Sequence, residues 1–258
     1  IVSDGCSNAR RLPTDPVLTD IGSRLLALSA IPYLFHDHFD DASFCHTVLA
    51  EANTHLRGLR LNINALSATL LTATLDNEVI KTRVIGDGNI VARKRETGEL
   101  EVFEIVFLAG GIRAKAAPYY LRYELEPEIK KGWIEQFGGA YQINKYTISL
   151  NGNINKTQQQ GQVTAEEVFC LTNSFPLAEY DMVALLSDGL NAFTRCINEE
   201  TRQQVLVPTC DVVREFFAYK RNYKGEFVKR RCKKAFDVIK KQNWQNTDDF
   251  SKGVIIAL

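Results

Sequence analysis

Hydrophobic positions along this chain change their spacing, and the changes divide it into segments. Behind Thr19 and Asp20, either able to cap a helix, Ile21, Leu25, Leu28 and Ile31 recur at helical spacing until Pro32 ends or kinks the run. The acidic pair Asp40-Asp41 opens a second helix, on which Phe44, Val48, Ala52 and Leu56 share one side at four-residue steps. These two helices are expected to pair antiparallel and to cover a sheet with their apolar faces.

Over residues 67–108 the period becomes strand-like. Residues 68–75 read as one strand and 78–85 as the next, joined by Asp76-Asn77. Gly86-Asp87-Gly88 turns into a strand over 89–94, and Thr97-Gly98 makes a hairpin turn before 100–108. The strands are antiparallel neighbours, so a dinucleotide-binding reading of Gly86-Asp87-Gly88 fails: no helix follows, and the third glycine of that pattern is missing. Residues 109–143 look irregular, punctuated by Gly110-Gly111, Pro118 and Gly138-Gly139. Strands resume at 146–150 and 167–171, and between them the Gly/Asn/Gln stretch 151–162 reads as an exposed mobile loop. A strand at 182–187 and helices at 211–219 and 226–241 follow, the last with Val228, Cys232, Ala235 and Ile239 on one face. With no internal repeat and no linker, residues 1–258 are expected to form a single α+β domain.

Composition narrows this little. At 258 residues and 45% hydrophobic content, the chain can bury one large core or two modest ones. Lys+Arg and Asp+Glu both number 31, which speaks against bulk attraction to nucleic acid or to an anionic membrane surface. No apolar run reaches membrane-spanning length. Six cysteines without a Cys-x-x-Cys pair read as reduced thiols of a cytosolic protein. The sequence opens at Ile1 in the middle of an apparent strand, so an upstream strand is expected.

The candidate chemistry lies in aspartates at strand ends. The apolar run Met182-Val183-Ala184-Leu185-Leu186 ends in Ser187-Asp188-Gly189, where glycine lets the backbone turn without a Cβ penalty. Ile1-Val2-Ser3-Asp4-Gly5 has the same form, and Thr247-Asp248-Asp249 precedes the closing apolar run 253–258. Any one Asp-Gly is by itself a turn signal. Three acidic strand ends meet only if the fold brings their strands side by side, and carboxylate oxygens gathered that way suit Mg²⁺ or Mn²⁺.

In order and approximate spacing, residues 1–5, Gly86-Asp87-Gly88, residues 185–189 and Asp248-Asp249 resemble the metal-dependent protein phosphatases of the 2C family. The likeness spans the chain and comes nearest to a bacterial branch with Asp-Gly-Cys near its start, here Asp4-Gly5-Cys6. It implies a four-layer α-β-β-α sandwich of two mainly antiparallel sheets flanked by helices. It also implies two Mn²⁺ or Mg²⁺ ions, with a third in some members, and a phosphoserine or phosphothreonine protein as substrate. Asp4 would bridge two ions, the Gly5 carbonyl would face the second, Asp188 and Asp248 would complete the first, and Asp87 would serve the weaker third position. Asp249 takes the place of Asp248 if the register shifts by one. Two departures stand out: Cys6 occupies the place of the family's usual leaving-group acid, His, and the upstream strand that supplies another acidic ligand is not in the sequence.

Other groups carry weaker signals. His36-Asp37-His38 with His46 sits at a helix end, where polar caps are expected more than zinc. Cys6 has no visible catalytic dyad, and Ser187 lacks the surroundings of a nucleophile elbow. Ten Lys and Arg residues crowd 220–241; they read first as the solvated face of the last helix, and second as a docking surface for an acidic or phosphorylated substrate, with Arg230 and Arg231 as the candidate contacts.

Overall fold

A computed structural model of the chain describes residues 1–6, 18–35, 39–109, 112–115, 117–198, 202–219 and 225–257. Helices α1 (Thr19–Ala30) and α2 (Asp41–Gly58) come first. Strands β1 (Leu70–Asp76), β2 (Val79–Ile85), β3 (Gly88–Lys94), β4 (Leu100–Ala109) and β5 (Ile112–Lys115) follow. Helix α3 (Pro127–Phe137) precedes β6 (Ala140–Ile148), β7 (Ile154–Gln162), β8 (Leu171–Pro176) and β9 (Tyr180–Leu186). The chain ends with β10 (Phe193–Asn198), β11 (Gln203–Leu206), α4 (Thr209–Phe217), α5 (Phe227–Lys241), β12 (Trp244–Asn246) and β13 (Lys252–Ile256).

The strands form three antiparallel sheets, so the fold is mixed α+β as expected. The largest runs β13-β9-β3-β4-β6-β7, with β5 paired to β4; a smaller sheet runs β1-β2-β8, and the third, β11-β10-β12. Alternation along β3 shows how the layers divide. Ile90 and Ala92 join a core with Leu71 and Ile80 of the smaller sheet and with Phe44 and Val48 of α2. Val91, from the opposite face, joins Val102, Ala184 and Leu186 in a second core with Val213 and Phe216 of α4 and Ala235 and Ile239 of α5. The order helix pair, sheet, sheet, helix pair is the four-layer sandwich. The third sheet lies beside it and had no counterpart in the sequence reading.

Helix α2 forms as its pattern requires. The Asp40 carboxylate caps it by accepting from the Ser43 N–H at 2.7 Å, and Phe44, Val48, Ala52 and Leu56 are all buried. Asp41 ties the helix to the sheet, accepting from Arg83 Nε at 2.8 Å and from the Thr172 hydroxyl at 2.6 Å.

Other segments depart from expectation. Helix α1 has the expected extent and passes at Pro32 into a 3₁₀ turn, but it buries Gly22, Ser23, Leu26, Ser29 and Ala30 and leaves Ile21, Leu28 and Ile31 exposed. Closeness decides its orientation: a Cβ on Gly22 would stand 1.7 Å from the Ala65 carbonyl oxygen, so the small residues face inward. Within the stretch read as irregular, α3 starts at Pro127 and stops at Gly138 in the left-handed region (φ 79°), and β6 begins at Ala140 rather than 146. The predicted mobile loop at 151–162 is mostly β7, an exposed edge strand paired along β6. Its register is marked where the Tyr141 ring lies over Gly161, whose missing Cβ would fall 2.3 Å from the phenol. The strand expected at 167–171 begins at Leu171 instead. Residues 36–38, Gly110-Gly111, and Lys220, Arg221 and Lys224 lie outside the described residues.

Candidate functional site

Asp4 is carried by a segment that lies along β1. The N–H and carbonyl of Val2 both bond Leu71, the Asp4 carbonyl accepts from the Thr69 N–H at 2.9 Å, and Cys6 N–H donates to the Ser67 carbonyl at 2.9 Å. Asp4 therefore belongs to the smaller sheet, whereas Asp188 and Asp248 flank the ends of β9 and β13 in the larger one. The strand ends meet across the end of the sandwich and not within one sheet, as the sequence reading had supposed. Asp87 sits at the corner where β2 of one sheet passes to β3 of the other. Flanking Gly86 (φ 100°) and Gly88 (φ 136°) make that corner possible: a Cβ on either would approach Thr69 or the Leu186 carbonyl to within 3 Å.

The Asp188 turn is braced from beneath. Asn89, fully buried, donates to the Ser187 carbonyl at 3.3 Å and to Asn191 Oδ1 at 2.7 Å, and Asn191 donates to Glu104 at 2.7 Å. The Ser187 hydroxyl accepts from the Ser251 N–H at 3.0 Å and donates to the Asp249 carbonyl at 3.2 Å, locking β9 to the segment that carries Asp248. Gly189 permits this contact, since a Cβ there would lie 1.8 Å from the Asp249 carbonyl oxygen.

These supports bring the four predicted aspartates, Asp4, Asp87, Asp188 and Asp248, to one cleft of about 220 Å³ with Gly5, Cys6, Thr69, Pro118 and Tyr120. Asp248, and not Asp249, lines it; the main chain of Asp249 is packed on Gly189. Burial, then the carboxylates of Asp188 and Asp248, push the Asp4 carboxyl up to about 6, with Asp249 adding and the Ser187 hydroxyl opposing. Arg230 and Arg231 do not line the cleft. Arg231 donates instead to the main-chain carbonyl of Glu215, fastening α5 to α4. His46 is exposed on α2.

The donors fit a hard divalent cation in kind: four carboxylates and a backbone segment, all oxygen. They do not close tightly on one point, because no three His, Cys, Asp or Glu side chains among the described residues form a cage for a single ion. That spacing suits Mg²⁺ or Mn²⁺ held by one or two carboxylates apiece, with water completing the octahedron, better than a fully protein-ligated ion. A second observation points to a bound group. Thr69 is 6% exposed, and its Oγ1 is buried without a hydrogen-bond partner beside the acidic cleft.

Two lining residues carried no sequence signal of their own. Thr69 looks like one more polar residue of a strand, and Tyr120 like a loop aromatic. Only the fold sets the Tyr120 phenol near Cys6, where burial and then the neighbouring thiol raise its pKa. No protein-family model matches the chain, and no curated protein matches it.

Proposed function

We propose that the chain is a Mn²⁺- or Mg²⁺-dependent phosphatase acting on phosphoserine or phosphothreonine in proteins. The observation that carries this reading is the convergence of four aspartates, 244 positions apart at the extremes, on one cleft where Asp188 and Asp248 repel the Asp4 carboxylate. Mutual repulsion between carboxylates costs stability, and such clusters mark sites whose charge is neutralised by a ligand. Asp4, whose carboxyl feels the charges of Asp188 and Asp248, would be shared by two ions, with Gly5, Asp188, Asp248 and Asp87 as the other oxygen donors lining the cleft. A pair of divalent ions supplies an activated water and a clamp on phosphoryl oxygens. The chain's own groups do the rest. Asn89 and Ser187 hold the Asp188 turn, Gly86 and Gly88 aim Asp87, and the Thr69 hydroxyl offers a hydrogen bond to an oxygen bound in the cleft. Cys6, which lines the cleft beside Tyr120, stands where the resembling family has a leaving-group acid.

Hydrolysis of p-nitrophenyl phosphate and of a phosphothreonine peptide, each with Mn²⁺ and with EDTA, tests the proposal. Both activities are expected with Mn²⁺ and neither with EDTA, and Asp188→Asn should abolish both while the circular dichroism spectrum is kept. Near-normal Mn²⁺-dependent turnover in Asp188→Asn would remove the metal site. No turnover of either substrate by the wild type would favour a phosphatase-like binding module. Cleavage of the small ester alone would favour a small-phosphoester hydrolase.

A further inference from the structure

A second opening lies next to the acidic cleft. Between α5 and the third sheet runs a groove of about 710 Å³, floored by Phe193, Ile239 and Trp244 and edged by Phe236, Lys240 and Asn246. Asn246 of the groove is two residues from Asp248 of the cleft, so the Cα atoms of these two lining residues lie no more than about 7 Å apart. The groove and the cleft also share packing. The Phe236 ring stands 5.3 Å from Phe216 and 6.3 Å from Phe250, and Phe250 follows Asp248 by two positions.

Three features define what would lie there. Phe236 is 43% exposed, a large ring left at the rim of a groove whose floor is apolar. Along α5, Lys229, Lys233, Phe236 and Lys240 recur at steps of four and three, hence on one face, and the three lysines on it are exposed. Lys233 and Lys240 form no ion pair with a carboxylate among the described residues. Finally, β12 forms one wall, and among the described residues it pairs only with β10. Its other edge presents backbone donors and acceptors at the repeat of a strand, which an extended chain matches.

We propose that this groove binds an extended acidic peptide segment with bulky apolar side chains, namely the sequence flanking the phosphorylated residue of a protein substrate. The assignment of that segment to a substrate rests on the phosphatase reading. The binding of an acidic peptide does not. With a phosphoryl group over Asp248 and about 3.3 Å per residue of strand, the positions two to four residues away reach the groove. Aromatic and aliphatic side chains meet Phe236 and Trp244, and Asp or Glu between them meets Lys233 and Lys240.

Two phosphothreonine peptides test this, one flanked on both sides by Asp-Phe-Glu-Leu and one by Gly-Ser-Gly-Ser. Wild-type kcat/KM with Mn²⁺ should favour the acidic peptide by about tenfold at low salt, a preference that shrinks at high salt. The charge reversal Lys233→Glu/Lys240→Glu, which leaves the apolar packing untouched, should erase the preference without changing p-nitrophenyl phosphate hydrolysis. Phe236→Ser should lower kcat/KM for the acidic peptide alone. Equal kcat/KM for the two peptides in the wild type, or a preference that survives the charge reversal, overturns the proposal. A binding titration separates its fate from that of the phosphatase reading. The unphosphorylated acidic peptide should perturb Trp244 fluorescence saturably in the wild type and not in the charge-reversed variant. If no phosphoester is cleaved yet this binding is seen, the groove stands and the phosphatase reading falls. Absence of saturable binding sinks the groove.

Discussion

At the scale of single residues, Asp4 carries the cost of the site. Its carboxyl is raised from 3.8 to about 6, first by burial and then by its acidic neighbours. Because the folded value exceeds the unfolded one, the native chain binds more protons than the unfolded chain between about pH 4 and 6, and stability from this group falls as pH rises through that window. Above about pH 6 the full cost is present. In EDTA, Asp4→Asn should therefore melt higher than wild type at pH 7, and the difference should close as the pH approaches 4. Parallel melting temperatures for the two chains from pH 4 to 7 would show that Asp4 is not under this strain. The four acidic positions were visible in sequence as Asp beside Gly or at the foot of an apolar run. Their meeting across two sheets was not, because nothing local in residues 1–5 says which strand they will join. Thr69 and Tyr120 were invisible for the same reason: they meet Asp4 and Cys6, 65 and 114 positions away, only once the fold has formed.

Elements show the same division. Helix α2 was legible because its buried face is its apolar face. Helix α1 was misread because contact distance, and not hydrophobicity, chose its inner side: Gly22 must face Ala65, and the larger Ile21 and Leu28 are turned outward. Helix α3 was missed because it buries few side chains, Lys130 and Trp133 among them, although Pro127 and Gly138 punctuate it. Strand β7 lacks an apolar face and so read as loop. Glycines within these elements should respond to one substitution with opposite signs. In α3, Gly132 has nothing within 4 Å of its would-be Cβ, so Gly132→Ala should stabilise the chain by about 0.5–1 kcal/mol. Gly189→Ala drives a Cβ into the Asp249 carbonyl and should cost about 1–3 kcal/mol, and it should weaken Mn²⁺ binding by moving the adjacent Asp248. Urea unfolding and calorimetric Mn²⁺ titration check both. An unchanged unfolding midpoint and Mn²⁺ affinity in Gly189→Ala would show that the contact between the Asp188 turn and the Asp248 segment does not hold the site.

Over the whole molecule, the cleft forms only when both sheets are stacked, since the smaller one brings Asp4 and the larger one Asp188. A cation bound there is bound by the folded chain and not by the unfolded one, so millimolar Mn²⁺ should raise the melting temperature at pH 7. The effect should fade by pH 5, where protons compete for Asp4, the reverse of the trend expected without metal. A Tm insensitive to Mn²⁺ at pH 7 would count against a preformed site. Among the described residues no helix is long and apolar enough to cross a membrane.

One feature of the large sheet bears on how copies of this chain meet each other. Along β7, amide side chains answer amide side chains, Gln158 to Asn144 and Gln160 to Gln142, and residues 154–160 are all exposed. A ladder of like rungs reads the same after a shift of two, so neither burial nor these bonds tell the strand where to stop. Tyr141 over Gly161 breaks the repetition: the ring has a seat at one rung and meets a side chain at the others. That glycine works as the notch of a lock. With the notch filled, β7 loses the feature that distinguishes its own neighbour from the β6 edge of another molecule, and what is a private seam of the fold becomes a template for exchange between chains.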